Sequence, residues 1–222
     1  MLAGLQELLL NVLFPRRCAD CGAVGAWVCV KCCDQTASNI LNFEVFELAT
    51  GLSVISLLPY RAPVVRELLH YLKYESITEA AASLLHIAMS APAAAGLAPL
   101  IPSQTLCIPI PLSYKRLRKR GYNQAELLAK SLERYIKLPI DVQSLVRVER
   151  RTQVGASRAA RFTNLEGAFS LQKRVMSNRV LLIDDLCTTG ATLQAAAEPL
   201  LRAGIEVMGL TIARVNTKEA FN

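Results

Sequence analysis

Val180-Leu-Leu-Ile-Asp-Asp-Leu-Cys-Thr-Thr-Gly-Ala-Thr192 decides how this chain is read. Its apolar opening reads as a strand buried on both faces. Two acids follow, then a turn of hydroxyls and glycine, then a helix predicted from Gly190 to Ala203. In sheets whose strands alternate with helices, ligands bind beyond the carboxyl ends of the strands, where this turn falls. The backbone amides of Thr188, Thr189, Gly190, Ala191 and Thr192 would converge on a phosphate, helped by the helix dipole and the threonine hydroxyls. Gly190 allows close approach of the backbone. Asp184 and Asp185 would repel a phosphate but suit ribose hydroxyls, directly or through Mg(II). The alternative is an ordinary strand, turn and helix with capping residues. The pattern is neither a Walker A loop nor GxGxxG.

Outward from this segment, strands and helices alternate. Strands are predicted at 52–58, 105–110 and 205–213, with weaker ones at 144–149 and 166–171. Helices are predicted at 62–74, 78–90 and 123–137. Pro199 should kink or shorten the helix it sits in. Residues 86–101 read as a helix end and a soft loop. This alternation, with strands apolar throughout, implies an α/β fold: a parallel sheet with helices on both faces.

The chain has 222 residues, 52% of them apolar and 19% charged. Its mean hydropathy is +0.31. That composition excludes long disordered stretches. No run reaches the roughly 18 apolar residues of a membrane span, so a channel is not expected. The formal net charge of +7 favours phosphate-bearing partners. Five of the eight residues 113–120 are Lys or Arg, and five arginines fall in 147–161 against one acid, Glu149. Either run is a solvated surface or an anion contact. Leu2, Leu5, Leu8, Leu9, Val12 and Leu13 predict an amphipathic leader helix, docked on its own domain or contacting a partner or a membrane surface, although its lack of lysine argues against anionic membranes. No basic n-region or cleavage site marks it as a signal peptide.

Five of the seven cysteines lie in 18–33. Cys18-Ala-Asp-Cys21 and Cys29-Val-Lys-Cys32 are two CxxC pairs, each able to present two thiolates. Together they complete the tetrahedral sulfur shell that Zn(II) favours, and four thiolates close it, so the site reads as structural. Cys33 is a spare thiol or a replacement for Cys32. Cys107 reads as strand core. Cys187 reads as a passive filler or, at a helix start, as a thiol of lowered pKa.

The chain resembles the ComF family, the competence-associated phosphoribosyltransferase-like proteins that include the GntX branch. The resemblance rests on Phe14-Pro15, the cysteines 18–32, Leu72-Lys73-Tyr74, Pro109-Ile110-Pro111 and Arg120-Gly-Tyr-Asn-Gln124. Gln153–Ser157, Asn164–Phe169 and the acid–threonine loop complete it. It implies a type I phosphoribosyltransferase-like domain over 50–222 and a leader helix with a zinc ribbon over 1–36. It implies that Asp184, Asp185 and Thr188–Thr192 bind phosphoribosyl pyrophosphate (PRPP) with Mg(II). Pro109, Ile110, Pro111, Lys115, Arg116 and Arg120 would meet the pyrophosphate. Arg151, Arg158 and Arg161 would lie on a hood over 147–162. It further implies a cytoplasmic protein acting in DNA uptake and natural transformation, handling single-stranded DNA beside other competence proteins, with Tyr114 and Tyr122 available to stack on bases. An active phosphoribosyltransferase with an unknown acceptor, or a GntX-like role in gluconate utilisation, is the alternative.

Overall fold

Residues 15–148, 165 and 167–215 are described by the structure, a computed structural model. The expected leader helix lies outside them. The strands are β1 (Glu44–Glu47), β2 (Ser53–Pro59), β3 (Leu106–Pro109), β4 (Leu145–Arg147), β5 (Phe169–Leu171), β6 (Arg179–Cys187) and β7 (Glu206–Arg214). Five of them form one sheet in the order β1-β2-β7-β6-β3. Strands β2, β7, β6 and β3 are parallel, with Ile55 opposite Leu210, Leu182 opposite Gly209 and Ile108 opposite Leu182.

The sheet departs from the all-parallel expectation at one edge. β1 runs antiparallel to β2, with Val45 opposite Ile55. Its sequence, Glu-Val-Phe-Glu, is mostly exposed and carries charge at both ends, as befits an edge strand. β4 and β5 do not join the sheet either. They form a separate antiparallel pair, Val146 opposite Ser170.

The helices are α1 (Val30–Ala37), α2 (Pro63–Tyr74), α3 (Glu79–Ser90), α4 (Leu97–Leu100), α5 (Tyr114–Arg120), α6 (Gln124–Leu132) and α7 (Ala191–Arg202). On one sheet face, Ile55, Leu57, Leu181 and Leu210 meet Val65, Leu68 and Leu72 of α2, Leu84 of α3 and Leu128 of α6. On the other, Val54, Leu182 and Val207 meet Leu193, Ala196 and Leu200 of α7, with Leu145 and Phe169 from the β4–β5 pair. Burying a side chain of this size contributes about 1.5–3 kcal/mol. Apolar spacing in these helices faces the sheet, which is why they were legible.

Three expectations are corrected. The 123–137 helix stops at Leu132. The soft loop after Ser90 is instead a 3-10 turn, Pro92–Gly96, followed by α4, with Ala93, Leu97 and Ile101 buried. Pro199 does not stop its helix: α7 continues to Arg202 before Gly204 turns left-handed at φ 76°. Its missing N–H forgoes the bond to the Ala195 carbonyl, but only three more helical residues follow it, so little of the ladder depends on that bond.

No single helix among the described residues is long and apolar enough to cross a membrane. α3 and the segment Pro92–Leu100 pass that test only together, bent by 83°.

Candidate functional site

β6 extends past both acids, so Asp184 and Asp185 sit inside the strand, with Asp184 opposite Thr211. Alternation along β6 would send their side chains to opposite faces. Asp185 points among helices and is buried. Its Oδ1 lies 3.1 Å from Lys73 Nζ, at the end of α2. Its Oδ2 is shut from solvent with no hydrogen-bond partner. The Asp185 N–H donates to Asp184 Oδ1 at 2.9 Å. Burial and the neighbouring Asp185 charge push the Asp184 carboxyl up to about 7, against that amide and the attraction of Lys73 and Arg147.

The turn that follows is built around Gly190, which is left-handed at φ 78°. A Cβ there would clash with the Leu48 side chain. Gly190 is thus favoured chiefly by its left-handed backbone, which any other side chain would strain. Thr188 and Thr189 are exposed, and Thr189 Oγ1 accepts a bond from the Ala191 N–H at 3.4 Å. Cys187 is buried in the core and burial pushes its thiol up, which fits a filler. Cys107 is likewise core, its thiol pushed up to about 12 by burial.

A cavity of about 500 Å³ joins these groups to the loop after β3. Asp184, Asp185, Thr188 and Thr192 line one wall; Ile110, Pro111, Arg116, Lys119 and Arg120 line another. Thr189, Gly190 and Ala191 form the turn between the lining threonines. Pro109 is buried at the end of β3. Lys115 is exposed on α5 and is not brought into the cavity.

The basic run is therefore helical, where the sequence predicted no element. Its signals were present: Ser113 caps α5, accepting from the Arg116 N–H at 3.4 Å, and Gly121 closes it in a left-handed conformation, φ 82°. Arg116, Lys119 and Arg120 fall at i, i+3 and i+4, on one side of the helix. The next residues are fasteners. Tyr122 donates to the Leu72 carbonyl at 2.6 Å, and its ring packs on the core, so it does not offer the free stacking face expected of it. Asn123 Nδ2 donates to the Ile110 carbonyl at 3.1 Å, while its Oδ1 caps α6. Arg120 donates to Gln124.

Lys73, Lys119 and Arg147 also line the cavity, though none was named individually as a candidate site residue. Lys73 appeared only as a letter in a motif. Arg147 lay in a weakly read strand; its guanidinium carbon stands 5.2 Å from the Phe169 ring centre, a cation–π contact that fixes it. Arg151, Arg158 and Arg161 lie outside the described residues.

The second cluster is cysteine. The sulfurs of Cys18, Cys21, Cys29 and Cys32 all lie within 4.8 Å of one another. Tetrahedral zinc, with Zn–S bonds of about 2.3 Å, separates its sulfurs by about 3.8 Å, so the four fit such a metal. Gly22 (φ 73°) turns the first knuckle, and the Cys29 N–H points at Cys18 Sγ, 3.4 Å away. Burial raises the Cys18 thiol, but backbone N–H groups from Cys29, Cys21 and Asp20 outweigh it and bring it down to about 6. Burial pushes Cys32 up. Cys33 points away from the cluster into the main core. Trp27 stacks edge-on against Tyr71 of α2, centroids 5.5 Å apart, and Arg16 pairs with Glu79 of α3 at 3.1 Å.

Residues 117–219 match the family model described as the phosphoribosyl transferase domain. Competence protein F of Haemophilus influenzae is 41% identical over 103 residues, 45% of either chain. The DNA utilization protein YhgH of Salmonella typhi is 32% identical over 143 residues, 64% of this chain and 63% of that one. Competence protein ComFC of Bacillus subtilis is 40% identical over 98 residues, 44% of this chain and 38% of that one. In each case the match spans less than two thirds of the relative.

Proposed function

We propose a function from one premise: this chain belongs to the ComF family, on a type I phosphoribosyltransferase-like α/β fold. It is a PRPP-binding protein of DNA uptake that handles single-stranded DNA on the cytoplasmic side of the membrane, alongside other competence proteins. The observation that carries this reading is the cavity at the end of β6. It gathers two acids and two threonines at the carboxyl edge of the sheet opposite three cations of α5.

The turn of Thr188–Thr192 receives the 5-phosphate, with its amides and hydroxyls as donors. Asp184 and Asp185 accept from the ribose hydroxyls. Arg116, Lys119 and Arg120 take the pyrophosphate, as arginine suits bidentate oxygens. Arg151, Arg158 and Arg161 supply further positive charge for the same anion. Mg(II) bound with PRPP would neutralise part of the diphosphate charge. Zn(II) at Cys18, Cys21, Cys29 and Cys32 would hold the ribbon together, with no open position for chemistry.

The other side of α5 carries Lys115 and Arg118, both exposed, near Tyr114. These cations follow the phosphates of a single strand. Labelled single-stranded DNA, titrated at several salt concentrations, tests this reading. Lys115→Gln/Arg118→Gln should weaken binding and flatten its log–log salt slope by about 1.4, at about 0.7 per phosphate contact. An unchanged slope would remove the DNA contact from this helix.

A further inference from the structure

Lys73 is placed with unusual care for a lysine. Tyr122 pins the carbonyl of the preceding Leu72 at 2.6 Å, and Trp27 braces Tyr71 one residue earlier. The Lys73 side chain is only 20% exposed, and its ammonium stands 3.1 Å from Asp185 Oδ1. The other oxygen of Asp185 is closed to solvent and has no hydrogen-bond partner. The accessible side of this carboxylate already faces a cation that belongs to the chain.

A divalent ion bound at Asp185 would have to share that position with the ammonium. At a few ångströms, two cations repel strongly even at an effective dielectric near 20. A buried carboxylate left without its partner is also strongly destabilising. The same atom therefore compensates the acid and guards it.

We propose that Lys73 is the resident cation of the acid pair, filling the place at Asp185 that a divalent ion would otherwise take. The free site then offers ribose hydroxyls an already compensated pair, and Mg(II) enters only on a diphosphate-bearing ligand. The ligand named here rests on the phosphoribosyl reading, whereas the test below uses no phosphoribosyl compound and stands if that reading fails.

The full-length protein with its cysteine cluster metal-loaded is compared as wild type, Lys73→Met and Lys73→Met/Asp185→Asn. Methionine keeps the apolar stem and removes the charge. Thermal unfolding is followed while Mg(II) is raised, and Mn(II) binding is measured by calorimetry. Wild type should be indifferent to Mg(II). Lys73→Met should melt lower without Mg(II), regain stability as it is added, and bind Mn(II) at least about tenfold more tightly than wild type once the repulsion is gone. The double variant should be stable without Mg(II) and lose the gained Mn(II) site. Equal Mn(II) affinity in wild type and Lys73→Met would overturn the proposal. So would a double variant as unstable as the single one, which would make Lys73 a packing residue.

Discussion

Gly190 and Asp184 make opposite demands at the same turn. Gly190 has a left-handed backbone and no room for a Cβ beside Leu48. Gly190→Ala should lower stability in denaturant titration by at least about 1–3 kcal/mol, the range for a strained backbone. A variant as stable as wild type would mean Leu48 yields freely. Asp184 behaves oppositely to an ordinary paired carboxylate. Its folded pKa, about 7, stands above the ordinary 3.8, so the folded state holds the proton more tightly. Stability from this group is therefore full below the unfolded value and declines as pH rises towards the folded one. Wild type should lose more melting temperature than Asp184→Asn between about pH 5 and about pH 8. Equal losses would place the proton elsewhere. Asp184 was legible in the sequence as an acid beside a turn. Its proton was not, because that depends on burial, on the adjacent Asp185, and on Lys73 and Arg147 converging from two distant places in the chain.

At the level of elements, α2 links the two clusters. Its Tyr71 carries Trp27 from the cysteine ribbon, and two residues on Lys73 meets the acid pair. A short ribbon has little core of its own, and a metal held by the four cysteines would supply much of its folding energy. Trp27 is the single tryptophan of the chain and is half-buried against that core. Chelating the metal should therefore shift its fluorescence to the red as the ribbon opens. Unchanged emission would show that packing alone holds the ribbon. The two CxxC pairs were readable because ligand spacing is local. The docking of the ribbon on α2 and α3 was not, since no local pattern marks which exposed helix face receives an indole. α5 is a middle case. Its cap, Ser113, and its terminator, Gly121, were in plain sight, but a helix with no buried residue gives no apolar period to read.

Across the molecule, long-range placement follows from one rule, that parallel strands bring their carboxyl ends to one edge. That rule placed the expected site beyond Val180–Thr192 and the short strand predicted at 105–110. β1 escaped it: four mostly exposed residues joining the sheet from outside carry neither a buried run nor a crossover. β4 and β5 escaped it too, because three-residue strands look the same in a sheet or beside one. What the edge gathers is a basic wall facing an acid pair across about 500 Å³. The claim that this space binds PRPP is tested most directly by calorimetric titration of the metal-loaded protein with PRPP and Mg(II), beside a folded Asp184→Asn/Asp185→Asn variant. Saturable binding is expected for wild type, weakened about a hundredfold in the variant through two lost bonds to charged groups worth about 1.5 kcal/mol each. A well-folded wild type that takes up no PRPP, or a variant that binds it equally well, would contradict the account.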